Sequence, residues 1–157
     1  MTLDFDDPES WRFISDRVMG GVSDGGAELQ HEDGRAFVAL RGEVSTENNG
    51  GFLQVRRDVD GLPAETRALV LTVRGNGETY EVHLRTVNSD RPWHYYTATF
   101  TAPDDWRRVE LPLDAFESNG RGLTAVLRPQ DILGIGLVAY GREFTARLDM
   151  ARIEAVA

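Results

Sequence analysis

Cysteine is absent from this chain of 157 residues. No disulfide can brace the fold, and thiolate catalysis and thiolate metal sites are excluded. Lysine is absent too: all seventeen basic residues are arginine. Either planar guanidinium groups serve paired contacts with carboxylates and amides, or the genome is GC-rich and the source bacterial. No uncharged apolar stretch approaches the ~20 residues of a membrane span. Nowhere do apolar residues recur at helical spacing over more than about two turns. The opening MTLDFDDPESW has neither a basic start nor an apolar run, so no secretory leader or arginine-rich presequence is read there. The expectation is a cytoplasmic protein without membrane insertion. A net charge of −9 counts against nucleic acid and against an anionic membrane surface.

What is present reads as strands. With 41% hydrophobic and 27% charged residues, the composition is globular, and one domain over 1–157 is expected. Phe5, Trp11, Phe13 and Ile14 form an N-terminal segment able to dock on the body, and Ala36 to Leu40 is a short apolar run. In 52–57, Phe52, Gln54 and Arg56 share one side and Leu53 and Val55 the other. Ala68 to Arg74 is rich enough in apolar residues for a strand buried on both faces. Gly75-Asn76-Gly77 reads as a hairpin turn. After it, Tyr80, Val82 and Leu84 face the core, with Glu81, His83 and Arg85 opposite. Trp93 to Phe100 and Trp106 to Leu111 follow as strands, and Ser118 to Gly122 as a polar loop. Arg128-Pro129-Gln130-Asp131 suits a helical turn with proline first. Phe144 to Met150 alternates, but Ile153 is out of phase, so a bulge is expected near Ala151. Turn signals every 8–12 residues or so indicate a β-sandwich.

Two stretches concentrate residues that relax the backbone: Asp16 to Gly26 (DRVMGGVSDGG) and Gly42 to Arg56 (GEVSTENNGGFLQVR). They are either elaborate turns or a binding rim on a rigid scaffold. If position 51 requires a positive φ, Gly51→Val should distort the second stretch. Asp16-Arg-Val-Met-Gly-Gly-Val-Ser23 and Ser45-Thr-Glu-Asn-Asn-Gly-Gly-Phe52 resemble motifs of the complex I intermediate-associated protein 30 family. The resemblance continues through Phe37, Gly42, Arg56, Arg74-Gly75, Tyr80, Arg85, Trp93 to Phe100, Trp106, Leu111 to Phe116, Ile135-Gly136 and Phe144 to Ile153. It implies an all-β fold, a galactose-binding-domain-like jelly-roll β-sandwich of two antiparallel sheets with few short helical turns. It also implies a role like that of mitochondrial members, which act as chaperones in respiratory complex I assembly and are not catalytic. Some plant members join the domain to a nucleotide-binding domain.

No His-Glu-x-x-His and no phosphate-cradling loop is present, and no catalytic residue or cofactor is expected. His83 and His94 facing across a hairpin would lack a third metal ligand. Asp149 with Asp6, Asp7 or Asp16 supplies too few calcium ligands, and Glu43 and Glu47 read as solvated rather than as a carboxylate pair for glycoside cleavage. The candidate partner- or ligand-binding residues are Asp16, Met19, Gly20, Gly21, Ser23, Glu47, Asn48 and Asn49 on the rim. Arg56, Arg74 and Arg85 join them from strands, where a charge needs a partner. Glu81, His83 and Arg85 form either a salt-bridge lattice or part of a ligand-gripping face, with Trp93, Tyr95 or Tyr96 as its flat platform. Trp11 and Trp106 are assigned to the core. The leading expectation is a protein partner, with complex I subunits or assembly intermediates as what the resemblance implies; the alternative is a carbohydrate.

Overall fold

A computed structural model describes residues 1–119, 123 and 126–157. Alternating sequence becomes twelve strands among them: β1 (Thr2–Asp4), β2 (Trp11–Ser15), β3 (Asp24–Glu32), β4 (Arg35–Val44), β5 (Phe52–Asp58), β6 (Ala68–Gly75), β7 (Thr79–Thr86), β8 (Tyr95–Thr101), β9 (Arg107–Pro112), β10 (Glu117–Asn119), β11 (Ile132–Tyr140) and β12 (Phe144–Val156). The described helical residues are short 3-10 turns, including Asp16–Met19, Glu47–Asn49 and Pro129–Asp131. Two antiparallel sheets result. The first runs β3-β4-β12-β6-β9 with β1 also on β12, and the second runs β10-β8-β7-β11-β5-β2. The all-β sandwich expected from the sequence is the fold.

The core lies where the inward faces meet. Tyr80, Val82 and Leu84 of β7 point into it together with Leu53 and Val55 of β5, and opposite them lie Leu40, Leu71 and Leu148 of the first sheet. Each such leucine contributes about 1.5–3 kcal/mol by leaving water. The Tyr80 hydroxyl is satisfied inside, donating to Asn76 Oδ1 at 2.6 Å and accepting from the Arg147 amide at 2.9 Å. The bulge falls where expected. Register on β12 shifts between Met150 and Arg152, and its free side passes from β4, paired through Met150, to β1, paired from Arg152.

Several local readings are corrected. Gly75-Asn76-Gly77 is not a hairpin turn: β6 and β7 belong to different sheets, so the turn crosses the sandwich. Asp24 to Gly26, read as loop, is the start of β3, where pairing with β4 satisfies its backbone. Trp106 is not in the main core. It packs edge-on against Phe37 on the outer side of the first sheet, 5.3 Å between ring centroids. Trp93 precedes its strand and is exposed. Of the predicted loop 118–122, Ser118 pairs in β10 with Tyr96, and residues 120–122 lie outside the described residues. No helix among the described residues is long and apolar enough to cross a membrane.

Candidate functional site

The two glycine-rich stretches converge on one buried carboxylate. Asp16, fully buried, accepts at Oδ2 from the Ser23 hydroxyl (2.5 Å), the Gly51 amide (2.6 Å) and the Phe52 amide (3.3 Å). Its Oδ1 accepts from the Ser23 amide at 3.1 Å. The Ser23 hydroxyl in turn accepts from the Ser45 amide at 2.8 Å. Glycine is needed on both sides of this clamp. A Cβ at Gly21 would stand 2.5 Å from Asp16 Cγ, and one at Gly50 2.6 Å from Oδ2. Burial opposes the charge of Asp16, yet the Ser23 hydroxyl and the amides of Gly51, Phe52 and Ser23 outweigh it and hold the carboxyl below its ordinary range. Asn48 and Asn49 occupy left-handed backbone at φ 58° and 60°, and Gly51 sits at φ 128°. Asn48 Nδ2 donates to the Gly20 carbonyl at 3.2 Å, joining the loops at their tips.

The clamp sorts the rim residues. Asp16, Gly21 and Ser23 are buried, and their groups hold the loops. Gly20, Glu47, Asn48 and Asn49 are exposed. So is an apolar trio, Val18 at 76%, Met19 at 61% and Val22 at 37%; of these the sequence reading had only Met19. Gly21-Val22-Ser23-Asp24-Gly25 has the lettering of a nucleophile elbow. Here the serine leads into a strand and not a helix, and its hydroxyl is committed to Asp16.

A second surface is the outer face of the β5–β11–β7–β8 region. Register aligns Arg12, Arg56, Gly136, His83 and Thr97 in one row across five strands, and Asp58, Gly134 and Arg85 in another. Gly134 and Gly136 leave room on β11 for side chains from β5 to lie across it. Ideal Cβ atoms there would be 3.2 Å from Arg56 Nε and 3.0 Å from the Gln54 amide. Tyr95 stacks on His83 with 3.8 Å between centroids, and Tyr140 meets the same ring edge-on at 5.7 Å. Burial, then the neighbouring Tyr140, pushes the Tyr95 phenol well up. His83 Nε2 lies 2.7 Å from Glu81 Oε1, which also accepts from Thr97.

Arg85 stands outside that pair. Its guanidinium donates to the carbonyls of Ser89, Arg91 and Pro92 at 3.0–3.1 Å, and burial lowers its pKa. It thereby fastens the turn that carries Trp93. Burial first, then the charges of Arg12 and Arg85, lowers the pKa of Arg56 as well. Tyr96 is buried in the core and cannot be a platform. His94 lies beside Trp93 and not against His83.

Arg74 is on the other sheet. It binds both Glu32 oxygens, at 2.8 and 3.0 Å, and Asp149 at 2.7 Å, and its guanidinium lies over Phe37 and Trp106. The hydrogen bonds to Glu32 first, and then those to Asp149, hold its pKa above the ordinary value. Each of its three nitrogens thus donates to a carboxylate within the fold. Asp149 is buried between Arg41 and Arg74.

Residues 3–150 match the family described as Complex I intermediate-associated protein 30 (CIA30). The chain belongs to the CIA30 family. Among curated proteins, no sequence matches this CIA30 chain. In solved structures its fold is similar to a family 11 carbohydrate-binding module from Clostridium thermocellum in complex with a β-1,3-1,4-mixed-linked tetrasaccharide. That pair has a TM-score of 0.72 at 14% identity, covering 99% of this chain and 95% of the other. A family 30 carbohydrate-binding module gives a TM-score of 0.60 at 16% identity, with 99% of both chains covered. An exo-β-agarase gives 0.58 at 11% identity, with 99% of this chain covering 25% of the enzyme. At these identities the likeness is one of fold, and it fits the jelly-roll sandwich.

Proposed function

We propose that this CIA30-family chain is a non-enzymatic binding module that holds a protein partner on the rim of its two clamped loops, in the manner of an assembly factor. Membership of the family supports the reading, and subunits or assembly intermediates of respiratory complex I are the partners it points to, in the cytoplasm. The observation that carries it is the exposure of Val18, Met19 and Val22 on a loop immobilised by a buried carboxylate. An ordered apolar patch loses little entropy on docking. Binding without turnover is part of the proposal. Asp16 and Asp149 are committed within the fold, and Asp58 to Arg12.

The test is a double substitution, Val18→Asp with Met19→Asp, compared with wild type in pull-downs from the native host. Both side chains are exposed, so the thermal midpoint should barely move while recovery of complex I subunits is lost. Equal recovery by both proteins would sink the proposal. A second reading places a carbohydrate on the outer face of the second sheet, where Tyr95, His83 and Tyr140 form an aromatic group beside Arg56 and Gln54.

A further inference from the structure

Charge on that outer face is unevenly matched. Arg56 Nε is buried without a hydrogen-bond partner, and the acid nearest it, Asp58, is 3.7 Å away. Asp58 is already engaged by Arg12 at 2.9 Å. Arg85, aligned with Asp58 across Gly134, binds backbone carbonyls and no carboxylate. Glu81 is occupied by His83 and Thr97. Two guanidinium groups, Arg12 and Arg56, therefore share a single carboxylate, and Arg85 has none, on a protein whose net charge is −9. A buried donor left unmade is unfavourable, and an anion arriving there satisfies it.

The surroundings restrict what carries the anion. Strands β5, β11 and β7 are each paired on both sides, so no free edge is offered to a peptide strand, and peptide recognition on sheets generally uses such an edge. What the face offers is flat: the Gln54 amide and the Arg56 guanidinium lying over glycines, with Tyr140 and Trp93 exposed at 43% and 56%. Planar polar groups that read hydroxyls, beside rings that stack, suit pyranose faces.

We infer that this face binds an acidic oligosaccharide, a chain of uronic acids, with one carboxylate on Arg56 between Arg12 and Arg85. The inference rests on the carbohydrate reading above and sharpens it to an anionic class. The test is calorimetric titration of the full chain with an oligogalacturonate, a neutral β-glucan oligosaccharide of equal length and polyglutamate, each at low and high salt. The oligogalacturonate should bind, with affinity that falls as salt rises. Arg56→Gln should weaken binding about tenfold, the loss of one charged hydrogen-bonded pair. Asp58→Asn should tighten it by freeing Arg12 and Arg56; because Asp58 is exposed, this variant is decisive even if Arg56→Gln fails to fold. Equal binding of neutral and acidic sugars, insensitivity to both substitutions, or no binding at all overturns the inference. Neutral glucan binding alone overturns it while leaving the carbohydrate reading intact. Polyglutamate binding alone makes the face a site for acidic peptides and overturns both. Met19→Asp should leave the titration unchanged, separating this face from the loop rim.

Discussion

Asp16 shows how one side chain fixes two loops. Four hydrogen bonds converge on it from Ser23, Gly51 and Phe52, and only glycine fits at positions 21 and 50 beside it. Asp16→Asn should destabilise the chain by about 3 kcal/mol, because the new amide sets donor against donor at Gly51 while the remaining groups stay buried. The carboxyl is depressed in the folded state, so its stabilisation is complete above the ordinary carboxylate range. It disappears as pH falls through the lower folded value. Thermal melts of wild type and variant should therefore differ at neutral pH and converge in acid. A gap independent of pH would refute the assignment. Gly50→Ala, which pushes a methyl against the same carboxylate, should be unstable as well. The sequence made these loops visible through their density of Gly and Asn, but not the clamp. A buried aspartate and a solvated one have the same letter, and burial is decided by residues thirty-five positions away.

At the level of elements, β7 and the turn after it behave as a unit. Arg85 reaches out of the strand to draw the carbonyls of Ser89, Arg91 and Pro92 around its guanidinium. Arg85→Gln should release this turn without unfolding the sheet, seen as faster chymotryptic cleavage after Trp93 with an unchanged far-ultraviolet spectrum. Cleavage at the wild-type rate would show that the turn is held by other means. Strand faces were legible because a period of two is written residue by residue: Tyr80, Val82 and Leu84 inward, His83 and Arg85 outward. Which strands share a sheet was not. Gly75-Asn76-Gly77 has the letters of a tight turn, and those letters do not distinguish a hairpin from a crossing between layers. Trp106 was misplaced for a similar reason: it is apolar, but Arg35 and Arg74 cover it at 4.7 Å on the outer side of a sheet.

For the molecule as a whole, side chains from both sheets form one continuous core cluster. Thermal unfolding should accordingly be a single transition, with tryptophan fluorescence and circular dichroism coincident. Two separated midpoints would mean that the sheets come apart independently. The architecture was legible from strand content and turn spacing. The arginine-rich outer face was legible only in part: Arg56 and Arg85 stood out as charges on strands, whereas the contribution of Arg12 and the shortage of acids around them depend on register.

The bulge at Ala151 lets β12 take β6 on one side and first β4, then β1, on the other. During translation, β1, β4 and β6 must therefore wait, with open hydrogen-bonding edges, until residues 144–156 have left the ribosome. The first sheet is closed by β12, which follows all its partners in chain order, so the edges of β1, β4 and β6 stay open to mispairing until it arrives.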